Sequence, residues 1–461
     1  MEIISLPFLV FALVVILVYS RLARPAQNAW LLAASYVFYL TWGWPYAAVL
    51  VISTLVNYLL GLRLGQDSPA KSKWLWAGIL LNAAPLVALK ALVSPYALLT
   101  FNTSAALLPI GFSFYTLQAI SYLVDVSRGQ IPPARNLVDF ALYLAWFPKL
   151  LSGPIEKASR FIPQLEKARK VDNARIGSGL GLILVGLLRK LVIADALTAI
   201  RPADLFSNPT AYSSLERLTW LVVFAFTLYN DFAGYTSIAR GLSALFGIDL
   251  SPNFAQPFFA RSFGEFWNRW HITLSTWLRD YIFFPLRRRM LQKRMPAWVA
   301  LAAPPLLTML VSGYWHGASL SMLCWGGLHG LYQVVEQKFR RSPRPDETAL
   351  RKVLSALAIF TFVTLAWVPF ATVDFSTALA YLRGFLPAYS LTFPATAWLN
   401  IAAALLFSLG LDWQEFRAGS DVYFLRWTAK KQVWVLVAAL LVLILFAGGG
   451  PNISNFVYQG F

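Results

Sequence analysis

Long apolar runs constrain this chain more than any other feature of its sequence. Between Leu6 and Phe446, predominantly apolar stretches of roughly 15 to 22 residues recur, each long enough, or nearly so, to cross about 30 Å of hydrocarbon as a helix. In a bilayer only helices and closed barrels satisfy every backbone polar group, and barrel strands read as alternating segments of about ten residues. Because the runs here are continuous, the sequence predicts an all-α, polytopic integral membrane protein.

The composition agrees with this class. The mean hydropathy is +0.58 and only 13% of residues are charged, against about a quarter in soluble domains. We expect about eleven transmembrane helices, with short re-entrant and interfacial helices, in one membrane domain over residues 1–461. The first run, Leu6 to Tyr19, lacks a basic leader and a cleavage site, so it is predicted to be a retained span. The single cysteine, Cys324, is predicted to be a small buried hydrophobe.

The formal charge of +18 is concentrated between the apolar runs. That distribution is typical of cytoplasmic loops under the positive-inside rule, and it predicts an amino terminus outside the cell. No folded basic module is recognisable, which argues against nucleic-acid binding. The stretch AWFPKLLSGPIEKASRF (145–161) is broken by Gly and Pro, so it predicts a re-entrant helix beside a cavity. Residues 156–170 are predicted to lie along the cytoplasmic surface.

Residues 262–289, SFGEFWNRWHITLSTWLRDYIFFPLRRR, carry polar and aromatic side chains at helical spacing. Drawn as one helix, they separate into a polar and an aromatic face, with His271 at the boundary. Glu265 and Arg269 are spaced for an i,i+4 ion pair. Two interpretations stay open on these residues alone. One is an interfacial amphipathic helix, and the other is a functional site, since ionisable residues near membrane depth are costly.

The stretch SGYWHGASLSMLCWGGLHG (312–330) holds two of the three histidines in the chain. His316 lies between Gly313 and Gly317, which permit close backbone approach, so it is either a packing residue between helices or a base with room for a ligand. On one continuous helix His329 would lie about 220° around the axis from His316. The two are therefore not predicted to form a metal pair, and no metal site is expected. Nucleophile-elbow, phosphate-loop and dinucleotide motifs are missing from the sequence.

Five stretches together resemble the membrane-bound O-acyltransferase family, in its bacterial branch of alginate O-acetyltransferases and teichoic acid D-alanyl transfer proteins. They are IGFSFYTLQAISYLVDV (110–126), FPKLLSGPIEKASRFIPQL (147–165), the segment YNDFAGYTSIARGLSALFGIDLSPNFAQPFFARSFGEFWNRWHITLSTWLRDYIFFPL (229–286), the His316 segment and a terminal NFVYQGF. The resemblance implies a fold with a central funnel or tunnel. Its core covers about residues 110–330, flanked by amino-terminal spans (1–109) and carboxy-terminal spans (331–461).

Carried over position by position, the resemblance implies that His316 is the catalytic histidine and His271 an assisting or positioning residue. His329 falls on a position with no firm role and is expected to be structural. Further motif positions, expected to bind donor or acceptor, are Glu265, Trp267, Arg269, Trp270, Ser275, Trp277, Arg279, Asp280, Ser312 and Trp315.

Relatives often continue after YIFFPL with a glycine-rich turn, whereas this chain has Arg287, Arg288 and Arg289. These three arginines are candidates for binding a phosphate-bearing or acidic donor, since both are drawn to clustered arginine. Anchoring under the positive-inside rule explains them equally well.

The implied activity is transfer of an acyl group, most simply acetyl, from acyl-CoA or an acyl carrier protein to a hydroxyl. The acceptor would be an exported polysaccharide, a cell-wall glycan or an outer-face acetyltransferase partner, and the enzyme would reside in the bacterial inner membrane. No permanently bound cofactor is expected. Alginate, cellulose, other exopolysaccharides, peptidoglycan and teichoic acid all stay open as acceptors. A glycan or lipid transporter and a non-catalytic scaffold of a polysaccharide assembly complex are the alternatives.

Overall fold

A computed structural model of the protein describes residues 1–93, 109–169, 171–339, 348–372, 374–385 and 395–447. Within these ranges the chain is helical and contains no strand, which confirms the predicted all-α fold. The predicted aromatic terminus NFVYQGF (455–461) lies outside the described residues.

The first half of the chain places short helices between longer ones. A π-helical segment, Leu188–Asp195, connects the helices that end at Leu187 and begin at Ala196. The helices up to residue 245 are α1 (Leu6–Tyr19), α2 (Arg24–Leu40), α3 (Trp44–Leu64), α4 (Lys71–Val93), α5 (Phe112–Ser127), α6 (Leu137–Ala145), α7 (Phe147–Leu150), α8 (Ala158–Glu166), α9 (Asn173–Leu187), α10 (Ala196–Ile200) and α11 (Ser214–Leu245).

The second half begins with a chain of short helices and continues with long ones. A second π-helical segment, Arg279–Phe283, lies among the short helices. The helices after residue 245 are α12 (Phe263–Arg269), α13 (Ile272–Leu278), α14 (Phe284–Gln292), α15 (Ala297–His316), α16 (Leu320–Phe339), α17 (Ala349–Ala366), α18 (Val368–Ala371), α19 (Phe375–Arg383), α20 (Ala395–Ala418) and α21 (Ala429–Ala447).

Among the described residues, five helical stretches are long and apolar enough to cross a membrane, and α1 is a shorter apolar helix. The five are Trp44–Leu64, Lys71–Leu92, Ala297–His316, Ala349–Ala371 and Ala429–Phe446. They agree with the predicted polytopic membrane protein, whereas the count of about eleven spans stays a prediction.

The apolar surface of α1 indicates that lipid is its solvent. Its buried face consists of Phe8, Ala12, Val15 and Tyr19, at helical spacing. The opposite face is also apolar, with leucines such as Leu6 strongly exposed. A helix that is apolar on all sides is stable when one face packs on protein and the other contacts hydrocarbon.

A buried charged cluster fixes α20 against the centre of the molecule. Arg189, in the first π-helical segment, pairs with Asp412 at 2.6 Å and with Glu415 at 2.9 Å. The neighbouring Lys190 pairs with Asp231 of α11 at 2.8 Å. Buried charges are tolerated only when they are paired, so these contacts determine how α11, α20 and the π-helical segment pack together.

Two glycines let α15 and α16 approach closely. A Cβ atom at Gly313 would overlap the carbonyl oxygen of Met322, and one at Gly326 would overlap that of Met309. Small residues at such contacts are the usual means of close helix packing in membranes. Gly313 therefore has the predicted helix-contact role, and the tight pair holds His316 at the turn between the two helices.

Candidate active site

His316 is the last residue of α15, at the point where the chain turns into α16. Its imidazole is almost fully buried, with 5% of the residue exposed. The ring lies among aromatic side chains, with centroid distances of 4.7 Å to Trp315, 5.1 Å to Trp325 and 5.4 Å to Phe370. The Gly317 backbone, at φ −175°, is extended, a conformation open to any residue, so the predicted freedom of a glycine is not used there.

Three buried polar groups near this imidazole have no hydrogen-bond partner within the described ranges. Ser312 lies one turn before His316 on the same face of α15, and no hydrogen-bond partner for its Oγ is found among the described residues. The same holds for the indole N–H groups of Trp315 and Trp325. Because buried polar groups are nearly always hydrogen-bonded, three such groups beside one histidine indicate a place for a polar ligand or water.

His271 lies at a break between α12 and α13. Its backbone adopts the left-handed region, at φ +41°, which is uncommon for a residue other than glycine. Its Nδ1 accepts the Leu274 N–H at 3.3 Å, so His271 caps α13. With Nδ1 accepting, the hydrogen of a neutral ring lies on Nε2, and the ring offers a donor rather than a proton acceptor.

The structure brings the two predicted catalytic histidines together around Trp315. The Trp315 ring lies 4.7 Å from His316 and 6.2 Å from His271, measured between ring centroids. Phe114 of α5 contacts the same indole at 5.5 Å and stacks on His271 at 6.5 Å. Two distant motifs of the sequence therefore share one buried aromatic site.

The prediction of a single helix over residues 262–289 is wrong. Trp270 is extended and His271 is left-handed, which interrupts the helix between Arg269 and Ile272. The cause is a tertiary contact, because the Asn253 carbonyl accepts the Ile272 N–H at 2.9 Å. The Asn253 side chain also accepts the hydroxyl of Thr273 at 2.7 Å.

Several predicted binding residues stabilise the scaffold through contacts of their own. The predicted ion pair of Glu265 and Arg269 is confirmed at 2.8 Å, and Arg269 also donates to the Ala255 carbonyl at 3.0 Å. Trp270 packs in the core, 5.1 Å from Trp367. The remaining contacts of this kind are Ser275 Oγ to the Trp270 carbonyl at 3.0 Å, Trp277 Nε1 to the Leu117 carbonyl at 2.8 Å and Arg279 Nε to Asp280 at 3.2 Å.

His329 lies behind the site, on α16, and is 1% exposed. Its ring contacts Trp325 at 5.0 Å, Trp267 at 5.1 Å and Phe266 at 6.2 Å. It belongs to an aromatic cluster that supports Trp325, which agrees with the expected structural role. Within the described ranges, no group of three or more His, Cys, Asp or Glu side chains is arranged to hold a metal ion.

Arg287, Arg288 and Arg289 border a cavity of about 1000 Å³ next to the second π-helical segment. Its lining also includes Arg128 and Lys157, together with Asp125, Asp280 and Tyr281. Both carboxylates are already engaged, because Asp280 pairs with Lys157 at 2.6 Å and Asp125 accepts the Tyr281 hydroxyl at 2.8 Å. The cavity is therefore strongly cationic and suited to a phosphate-bearing or acidic ligand.

Helix α5 connects this cavity with the histidines. Asp125 lines the cavity near one end of α5, and Phe114 contacts Trp315 and His271 near the other. Eleven residues separate the two positions, which corresponds to about 16 Å along the helix. A ligand that extended along α5 from Asp125 to Phe114 would therefore need an arm of about this length.

Lys90 is a site residue that the sequence reasoning missed. It lies on α4 with 5% of its surface exposed, and its Nζ is 5.7 Å from the centroid of the Trp315 ring. The available signal was an ionisable residue at the end of an apolar run.

Comparison with known proteins identifies relatives over most of the chain. The model of the membrane-bound O-acyltransferase family matches residues 130–369. A probable alginate O-acetylase of Azotobacter vinelandii is 34% identical over 374 residues, covering 76% of this chain and 71% of that protein. A peptidoglycan O-acetyltransferase of Helicobacter pylori is 33% identical over 392 residues, or 77% and 73% of the two chains. A teichoic acid D-alanyltransferase of Streptococcus thermophilus is 28% identical over 289 residues, or 60% and 67%.

Proposed function

Because the chain belongs to the membrane-bound O-acyltransferase family, we propose that this O-acyltransferase moves acetyl from a cytoplasmic thioester to a hydroxyl of an exported polysaccharide or cell-wall glycan. The proposal rests on the polar groups of Ser312, Trp315 and Trp325 around His316, for which the described part of the chain offers no hydrogen-bond partner. An acceptor hydroxyl and a thioester carbonyl are groups that such a site can hold by hydrogen bonds.

His316 acts as the general base. It takes the proton from the acceptor hydroxyl while that oxygen adds to the carbonyl carbon of the thioester. When the tetrahedral intermediate collapses, the carbon–sulfur bond breaks and the imidazolium returns the proton to sulfur, which releases a free thiol. His271 assists by donating from Nε2 to an oxygen of the donor or acceptor, a role that its capping contact with Leu274 favours.

The donor binds at the cationic cavity, with its phosphate-bearing end against Arg287, Arg288 and Arg289. Coenzyme A and the phosphopantetheine of an acyl carrier protein both present phosphate and an extended arm, so both are candidate donors. Neither is a resident cofactor. The positive-inside rule assigns this arginine-rich end to the cytoplasm, with the amino terminus outside and the protein in the bacterial inner membrane.

The acceptor approaches the histidines from the opposite end of the site. The relatives are named for alginate, peptidoglycan and teichoic acid, and on that basis we place the acceptor among exported or cell-wall polymers, reached directly or through an outer-face partner. Residues 1–461 act as one membrane domain in this scheme. The relatives favour an enzyme over the transporter and the scaffold that the sequence alone left open.

The test is thiol release by purified protein in nanodiscs, supplied with acetyl-CoA or an acetylated carrier protein and with alginate or peptidoglycan oligosaccharides. Wild type is compared with His316→Ala and with His329→Phe, which keeps an aromatic ring in the cluster behind the site. Octanoyl-CoA serves as the chain-length control. We expect release by wild type and His329→Phe and its loss in His316→Ala. Release that His316→Ala leaves unchanged, or no release with either acetyl donor, would contradict the proposed function.

A further inference from the structure

Lys90 is a charged residue close to the end of a membrane span. Helix α4 is apolar over most of its length, and Lys90 is nevertheless buried within the protein. Placing an ammonium group at membrane depth is costly, so ionisable residues in such positions are candidates for function.

Contacts between α4 and α15 place Lys90 beside the catalytic turn. The hydroxyl of Tyr314, two residues before His316, donates to the carbonyl of Val87 at 3.2 Å. Val87 lies three residues before Lys90, so this bond joins the last turns of the two helices. From there the Lys90 ammonium group lies 5.7 Å from the centre of the Trp315 ring.

The sign of this charge limits what Lys90 can do. A cation repels the imidazolium that forms when His316 accepts a proton, so it does not help His316 to hold that proton. It attracts negative charge, and in acyl transfer negative charge develops on the former carbonyl oxygen. A lysine side chain has a flexible four-carbon stem, so its ammonium group can follow that oxygen.

We propose that Lys90 is a further catalytic residue, whose ammonium group donates a hydrogen bond to the carbonyl oxygen of the thioester. The inference rests on the proposed acyl transfer. As the acceptor oxygen adds to the carbonyl carbon, the carbon–oxygen π bond becomes a lone pair on oxygen, which Lys90 stabilises. The lone pair reforms the π bond when the carbon–sulfur bond breaks and the thiol leaves, and Lys90 keeps its proton throughout. Lys90 and His271 then face the reacting carbonyl from α4 and from the start of α13.

The first experiment compares Lys90→Met with wild type in the thiol-release assay. Methionine keeps an unbranched side chain of similar length without the charge. Loss of one donor to an oxyanion lowers kcat by about 10²- to 10³-fold, and we expect a fall of about 10²-fold in kcat with KM changed less than about threefold. Lys73→Met is the matched control, since Lys73 is exposed near the start of the same helix, and it should keep the wild-type rate.

Chemical rescue separates catalysis from folding. In a Cys324→Ala background the chain has no other cysteine, so Lys90→Cys offers a single thiol. Alkylation with 2-bromoethylamine restores an ammonium group at the position, whereas iodoacetamide adds a neutral amide of similar size. We expect kcat after 2-bromoethylamine to be at least about tenfold higher than kcat after iodoacetamide. This recovery is smaller than the full effect of one oxyanion donor.

The possible outcomes distinguish the two proposals. A wild-type enzyme without His316-dependent thiol release defeats the proposed function before Lys90 is considered. With that activity present, a Lys90→Met rate within about threefold of wild type, or equal rates after the two reagents, overturns the role of Lys90 alone. A lower rate in Lys90→Met supports it, provided that the rate of Lys90→Cys is raised by 2-bromoethylamine and not by iodoacetamide.

Discussion

Replacing Arg287, Arg288 and Arg289 with glutamine should weaken donor binding and raise the KM for the donor roughly tenfold. All three side chains are exposed at the cavity, where one ion pair contributes about 0.5 kcal/mol. Three such contacts amount to about 1.5 kcal/mol, which corresponds to roughly a tenfold rise in the KM for the donor. The expected kcat is unchanged, because the arginines line the cavity with Asp125, whereas Phe114, about 16 Å from Asp125 along α5, lies against His271 and Trp315.

The cavity has little reserve of positive charge once these arginines are gone. Lys157 is already paired with Asp280 at 2.6 Å, which leaves Arg128 facing the donor. Salt should therefore affect the wild type more than the variant. Between about 0.05 and about 0.5 M salt the KM of the wild type should rise, whereas that of the triple variant should change little.

The assay is thiol release over a range of acetyl-CoA concentrations at both salt concentrations. The matched control replaces three exposed basic residues outside the cavity with glutamine, Arg417, Lys430 and Lys431, so both variants lose the same net charge. An unchanged KM in the cavity variant would return the arginines to a purely topological role. An equal rise in the control variant would indicate an effect of overall charge and would refute a local donor site.

Three further predictions test the geometry of the site. His271→Ala should lower kcat less than His316→Ala does, and the lost helix cap should cost about 1 kcal/mol of stability. His271→Asn should keep the wild-type melting temperature, because asparagine tolerates a left-handed backbone and can cap α13. Ser312→Ala should lower kcat about tenfold by removing one neutral hydrogen bond, and inactivity equal to that of His316→Ala would favour a seryl acyl-enzyme. Gly313→Ala should reduce the yield of monodisperse protein in size-exclusion chromatography, because its Cβ meets the Met322 backbone. Gly327→Ala is the control and should keep the wild-type yield, because the nearest atom to an added Cβ there is 3.9 Å away.

Much of the fold could be predicted because lipid imposes simple rules. The apolar run predicted from Leu6 to Tyr19 coincides with α1, since a helix in a bilayer needs only length and hydrophobicity. The short helices were harder. Helices α6 and α7 are separated by Trp146, at φ −50° and ψ 107°, and such bends depend on what packs against them. The stretch Val368–Ala371 likewise follows α17 after a turn at Trp367, and that turn also depends on what packs against it.

The site was predictable to the extent that its residues are chemically unusual in an apolar chain. His316 and His271 are conspicuous as histidines, and the resemblance to a known family assigned their roles. Their common contact, Trp315, could not be deduced from spacing, because 45 residues separate the two histidines in the sequence. The break at His271 was also hidden, since Asn253 captures the Ile272 N–H from outside the local pattern. Lys90 was missed because a run of apolar residues does not reveal which end of it turns inward.

Both histidines lie where a helix stops, and this has a chemical consequence. A residue in the middle of a membrane helix projects sideways from a backbone whose polar groups are all used within the helix. At a helix end the backbone changes direction, so His271 and His316 can approach Trp315 from two different elements while Lys90 approaches it from a third. Irregular backbone at membrane depth is stable only where protein or water satisfies its hydrogen-bonding groups. At the break next to His271, the side chain of Asn253 accepts the Thr273 N–H. In the proposed reaction, the two helix ends therefore bring the base His316 and the donor His271 to one carbonyl, and Lys90 adds a cation from α4.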